Sequence, residues 1–154
     1  MTGNVTLFPG YPLTIEPGVI LRFNTDTNLT IRDTLNAIGT AVERITFASA
    51  SPPDNWTGVR LATYLGGKAV TELADSSYAS TAVSAEYRWG VTETANISDS
   101  TFRNNDIALG NYAGNNENIR NCTFDNNTYA VLQRLTRSLM TRFLGTMPTA
   151  LWDG

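Results

Sequence analysis

Ile119-Arg-Asn-Cys-Thr-Phe124-Asp-Asn-Asn-Thr-Tyr129 is preceded in the chain by two blocks of the same design. They are Ile97-Ser-Asp-Ser-Thr-Phe102-Arg-Asn-Asn-Asp-Ile107 and Leu73-Ala-Asp-Ser-Ser-Tyr78-Ala-Ser-Thr-Ala-Val83. Written under one another without gaps, the apolar positions coincide, and the aromatics Tyr78, Phe102, Phe124 and Phe143 recur at near-regular intervals. A short recurrence of that kind means that one small unit is stacked on copies of itself. The four aromatics are therefore expected to form one interior column.

Strict strand alternation cannot turn Ile119, Cys122 and Phe124 all inward. A bend at Asn121 can, because Asn tolerates the left-handed backbone conformation that re-aims the chain. The same alignment puts bends at Asp99 and Asp75, and a second corner at Asn127, Asn105 and Thr81. Several corners per unit, with like residues above like, describe an all-β parallel solenoid.

The first half carries a tighter spacing. Leu13-Thr-Ile15, Leu29-Thr-Ile31 and Ile45-Thr-Phe47 are evenly spaced, and the alignment pairs Val19 with Leu35 and Leu21 with Ala37. Apolar residues flanking a central Thr are the mark of a half-buried strand. Pro17-Gly18 and Asp33-Thr34 supply turn chemistry between strands. On this reading Thr14, Thr30 and Thr46 form an outward ladder, and Thr101 and Thr123 form another beside Ser77.

The block Ile119-x-Asn121-Cys122-x-Phe124-x-Asn126-Asn127-x-x-Ala130-Val131 resembles the right-handed parallel β-helix repeat of the pectate-lyase-like superfamily. Leu13 to Ala48, with Ile15-Glu-Pro-Gly-Val19 and Leu35-Asn-Ala-Ile-Gly-Thr40, resembles the amino-terminal coils of its secreted bacterial members. The resemblance implies a right-handed parallel β-helix, and it spans roughly residues 13–131. It says little about activity, since the superfamily holds lyases, hydrolases, epimerases, adhesins and proteins without catalysis. The length of 154 residues suits one domain of about six or seven coils. Residues 1–12 would supply an amino-terminal strand or cap and 132–154 a last coil or cap.

That last segment reads two ways. Leu132, Leu135, Leu139 and Phe143 fit an amphipathic helix, whereas Phe143 to Leu151 echoes the Phe124 to Val131 block and favours another coil.

Charge excludes some partners. The formal net charge is −3 and Lys68 is the single lysine, which argues against nucleic acid and against anionic membrane. No apolar run reaches the length of a membrane span, so no membrane insertion is expected. The start Met1-Thr-Gly-Asn lacks the basic and apolar parts of a signal peptide. An extracellular or cell-surface location then requires that a signal was removed. Cys122 is single, so it forms no intrachain disulfide. Its slot, expected opposite Ser100 and Ser76, suits a small buried filler.

Family lyases use a basic residue beside calcium-binding carboxylates, and family hydrolases set aspartates around the scissile bond. This chain has no histidine, no Asp-Asp pair, and neither the Asn-Thr-Asp nor the Gly-His-Gly signature of polygalacturonases. No catalytic residue is assigned and no cofactor is expected. One acidic row remains, Asp75 and Asp99 in adjacent coils. Two carboxylates about 4.8 Å apart would share a proton or hold calcium, or else serve as bend residues that accept backbone N–H bonds. Arg103 with Asp106 and Asp125 forms a further charged cluster.

Residues 48–56, with two prolines, read as a loop projecting from the stack, and 64–69 as another turn. Trp56, Tyr64, Tyr87 and Trp89 are the aromatic candidates for stacking on a sugar ring, or else they cover the sides and ends of the helix. The expected role is a non-catalytic structural or carbohydrate-contacting module of a bacterial surface or extracellular protein. Its partners would be a polysaccharide and, through its terminal coils, further copies. A polysaccharide-active lyase or hydrolase is the alternative, and the threonine ladders add ice binding as a third.

Overall fold

The computed structural model describes residues 1–62, 68–72, 74–85, 95–110 and 118–132. Every regular element among them is a strand of three to five residues. The first are β1 (Val5–Leu7), β2 (Leu13–Ile15), β3 (Ile20–Phe23), β4 (Asn28–Ile31), β5 (Thr34–Ile38), β6 (Ile45–Ser49), β7 (Gly58–Leu61) and β8 (Lys68–Glu72). They are followed by β9 (Ala74–Ser77), β10 (Thr81–Ala85), β11 (Ala95–Ser98), β12 (Thr101–Arg103), β13 (Ile107–Gly110), β14 (Asn118–Arg120), β15 (Thr123–Asp125) and β16 (Tyr129–Leu132). Each strand pairs, in parallel, with the strand three further along the chain. The result is three sheets, ordered β1-β4-β7-β10-β13-β16, β2-β5-β8-β11-β14 and β3-β6-β9-β12-β15. This is a parallel β-solenoid with three strands per coil.

The sheets are five or six strands deep among the described residues, against the six or seven coils expected for the whole chain. Coils are also longer than the tight early spacing implied, and unequal: Leu13 pairs with Leu35 in one step, whereas the next step carries Thr34 as far as Lys68. The early spacing is therefore not a coil. Leu13, Leu29 and Ile45 lie in three different sheets, and each repeat of that spacing advances two strands around the winding. Leu35 pairs with Leu13 instead of Val19, and Ala37 pairs with Ile15 instead of Leu21. Thr14, Thr30 and Thr46 accordingly belong to three separate faces and form no ladder. Thr101 and Thr123 do align, in a column that runs Thr46, Asp75, Thr101, Thr123.

The bends at Asp99 and Asn121 have φ of 51° and 52°, as the need to re-aim Cys122 and Phe124 requires. A second left-handed row follows the next strand, at Tyr78 (54°), Asn104 (55°) and Asn126 (49°). Tyr78 is thus a corner residue and not a rung of the aromatic column. The register places Ser76 opposite Phe102, and Asp75 opposite Thr101, where the gapless alignment had set Tyr78 and Ser77. Asp75 moves with this shift, from an expected bend into a strand. The segment 132–144 and Phe143 lie outside the described residues, apart from Leu132 at the end of β16.

The interior column of the third sheet reads Leu21, Phe47, Ser76, Phe102, Phe124. Phe102 and Phe124 stack with centroids 5.5 Å apart and planes at 12°. Phe47 stacks on Phe23 at 6.5 Å, and Phe23 on Trp56 at 4.0 Å. Ser76 is too small to continue the column. A cavity of about 20 Å³ opens there, lined by Phe47, Phe102, Leu35, Val59 and Val83 among others. The Ser76 hydroxyl is buried in this gap without a hydrogen-bond partner. An unpaired buried hydroxyl is costly. Ser76→Ala is therefore expected to raise stability by roughly 0.5–1 kcal/mol, and Ser76→Val, which also adds apolar volume, by more. Urea midpoints falling in the order Val, Ala, Ser would bear this out, and a less stable alanine variant would refute it.

Gly58 shows how tightly the coils are laid. It opens β7 at φ 127°, where a Cβ would sit 1.6 Å from the Thr81 carbonyl oxygen. Only glycine allows that approach.

Candidate functional site

The charged constellation of the described residues lies where the second and third sheets meet. Asp75 projects outward from β9, between Thr46 and Thr101 in register. Arg44, just ahead of β6 in the coil before, reaches across and grips it. Arg44 Nε donates to Asp75 Oδ2 at 2.9 Å and Nη2 to Oδ1 at 2.7 Å, a forked pairing of guanidinium and carboxylate. The same Nη2 donates to the Asp99 carbonyl at 2.8 Å in the coil after, and the Thr101 backbone N–H donates to Asp75 Oδ1 at 3.1 Å. One arginine therefore ties three successive coils together.

Burial pushes the Asp75 carboxyl up, but the hydrogen bonds and charge of Arg44, with the Thr101 contacts, outweigh it and hold the group below the usual carboxylate range. The side chains of Arg44 and Asp75 remain 30% and 28% exposed, so solvent screens the pair and about 1 kcal/mol is the expected stabilisation. Because the folded-state pKa is lowered, that stabilisation is complete above the unfolded value of about 3.9 and is lost as pH falls through the folded value. Asp75→Asn should therefore lower the urea midpoint more at pH 7 than near pH 2. An equal loss at both pH values would remove the ion pair as its cause.

Asp75 and Asp99 do not form the expected row. Asp99 is in line with Asn121, whose Nδ2 donates to Asp99 Oδ1 at 3.3 Å, while Asp75 belongs to the strand position of Thr101. Asp99 is a bend residue. The residues do not fit calcium, because both oxygens of Asp75 already accept from Arg44 and a cation would sit against the guanidinium charge. Among the described residues no group of three or more acidic, Cys or His side chains could hold a metal ion.

Trp56 is fully buried. Its ring stacks on Phe23 and its Nε1 donates to the Ser77 carbonyl at 3.0 Å, so the loop of residues 51–55 projects while the tryptophan turns back into the core. The prolines upstream marked the loop, but nothing local told which way Trp56 would face. Tyr64, Tyr87 and Trp89 lie outside the described residues. In the third cluster Asp106 Oδ2 accepts from Asn55 Nδ2 at 3.0 Å, and Arg103 stands beside Asp125 in register.

Amide side chains line the coils. Asn118 donates to Asn96 at 3.2 Å and Asn126 to Asn104 at 2.7 Å, both on the exposed surface. A buried counterpart joins Asn105 and Asn127 at the second corner, where Ala79, not Thr81, occupies the coil below. Cys122 sits above Ser100 and, through it, Ala74, not Ser76; its Sγ lies 3.3 Å from the Arg120 carbonyl. Burial is the largest influence on its thiol and pushes the pKa up, as an unreactive filler requires.

Arg44 is the residue that sequence reasoning missed. It stands far from Asp75 along the chain, and no pattern connects the two. No family model, curated protein or solved structure matches this chain.

Proposed function

We propose that this chain is a non-catalytic structural module that contacts carbohydrate, from a bacterial surface or extracellular protein of the pectate-lyase-like kind. The observation that supports this reading best is the fate of Asp75. Its carboxylate is fully engaged by Arg44 and the Thr101 N–H, so it is in no position to take a proton or hold a metal for a sugar substrate. The outward polar side chains that remain, such as Asn96 and Asn118, are neutral hydrogen-bonding groups suited to hydroxyl-rich ligands. The module's proposed partners are a polysaccharide and, through the end strands β1 and β2, another copy of the chain, since each stands at the edge of its sheet whereas the edge of β3 is bonded by Met1.

The test pairs a glycan array, run with and without calcium, with an assay for unsaturated products on pectate, alginate and related polymers. Binding without turnover, indifferent to calcium, is the expected result. Lyase activity abolished by Asp99→Asn would overturn the reading and make Asp99 a catalytic group.

A further inference from the structure

We propose that the turn Phe8-Pro9-Gly10-Tyr11 is a platform for the sugar ring of a neutral glycan. The inference rests on the carbohydrate-contacting role above and places that contact on residues distinct from the aromatic candidates of the sequence. Phe8 is 57% and Tyr11 70% exposed, in a chain whose Trp56, Phe23, Phe47 and Phe102 are all buried. Aromatic rings left in water at adjoining positions cost solvation and are accounted for when something covers them.

The turn is built to hold its shape. The Tyr11 N–H donates to the Phe8 carbonyl at 3.3 Å, Pro9 occupies the second position, and Gly10 takes φ 89° at the third, the pattern of a type II turn. That geometry keeps the first and last Cα atoms within about 7 Å, so the two aromatic side chains spring from neighbouring points of the backbone. Asp33, in the next coil, anchors the turn: its Oδ2 accepts from the Gly10 N–H and its Oδ1 from the Thr34 N–H at 2.7 Å. The neighbouring Arg32 accompanies it. Its backbone N–H donates to the Leu7 carbonyl at 3.0 Å, and its guanidinium lies 5.2 Å from the centre of the Phe8 ring. A turn whose backbone is already fixed loses little freedom on binding, which is what a stacking platform needs.

The charges choose the ligand class. Arg32 and Asp33 cancel locally, so the platform carries no net charge with which to select an acidic polymer. Arg32 Nε is buried without a hydrogen-bond partner, so a sugar hydroxyl would meet the outer guanidinium nitrogens alone, while both Asp33 oxygens are already engaged by the backbone. Apolar ring faces beside neutral-on-balance donors suit the C–H face and hydroxyls of an uncharged pyranose.

The test compares the full chain with the Phe8→Ala/Tyr11→Ala double variant and with Arg32→Gln. Binding is first surveyed on an array of neutral and acidic glycans, then titrated calorimetrically with the best neutral oligosaccharide found. Circular dichroism confirms that the variants fold. The expected result is at least a tenfold rise in Kd for the double variant and a smaller rise for Arg32→Gln. Binding unchanged by the double variant overturns the platform while the carbohydrate role stands. Absence of any glycan binding by the unaltered chain overturns both, and preference for acidic glycans overturns the ligand class. Loss of self-association in the double variant by sedimentation, with glycan binding intact, assigns the turn to a protein contact instead.

Discussion

Phe102→Ala is expected to destabilise the fold by about 3–5 kcal/mol, the range for emptying an aromatic site in a packed interior. Phe102 is 3% exposed and stacks on Phe124 at 5.5 Å. Its other neighbour in the column is Ser76, beside the cavity of about 20 Å³. Truncation would join the new void to the old one, and the rigid backbone of three sheets leaves little scope for collapse. The upper half of the range is therefore expected. Equilibrium urea unfolding measures it, with Phe124→Ala as the comparison, because Phe124 is only partly buried and should cost less. A loss below about 1 kcal/mol for Phe102 would mean that the column is not the core.

Asn105→Ala is expected to cost about 2–4 kcal/mol through the hydrogen bonds it strands. Asn105 is 2% exposed. Its Oδ1 accepts from the Ala79 N–H at 2.9 Å, and its Nδ2 donates to the Ser76 carbonyl at 3.3 Å and to Asn127 Oδ1 at 2.9 Å. Asn127 Nδ2 then donates to the Phe102 carbonyl at 2.9 Å. Side-chain amides here replace the backbone bonds that the chain gives up where it turns between the third and first sheets. Removing Asn105 takes these side-chain partners from the buried Ala79 N–H and from the Ser76 carbonyl, and no apolar substitute restores them. A double-mutant cycle with Asn127→Ala should show coupling, since the two amides share a bond. Additive losses would assign each amide to its own corner and reject the ladder.

Parallel stacking, the bends at Asp99 and Asn121, the corner at Asn105 and Asn127, and the contact of Phe102 with Phe124 were all legible in residues 97–131. In that region the two coils keep one constant offset in every sheet, pairing Ile97 with Ile119, Phe102 with Phe124 and Ile107 with Tyr129, so a gapless alignment reproduces the register. The candidate site was less legible. Asp75 was visible as a carboxylate, yet its position in the sheet depended on a register with Thr101 that a repeat alignment cannot supply. The exposed turn at Phe8 and Tyr11 was read only as a strand or cap, because the sequence shows an aromatic residue without showing which side of the chain has neighbours.

The kind of object is written in residue chemistry: short apolar alternations, asparagines where the backbone must turn left-handed, and a recurrence close enough to build coil on coil. These are local properties, set within a few residues by side-chain period and backbone sterics. Which coil position each residue occupies is settled by long-range packing. Coils differ in length as loops are inserted, the step from Thr34 to Lys68 being longer than that from Leu13 to Leu35. A shift by two positions conserves the inward and outward pattern of a strand while changing every neighbour. That freedom placed Ser76 where an aromatic was expected, turned Tyr78 into a corner, buried Trp56, and brought Arg44 across to hold Asp75.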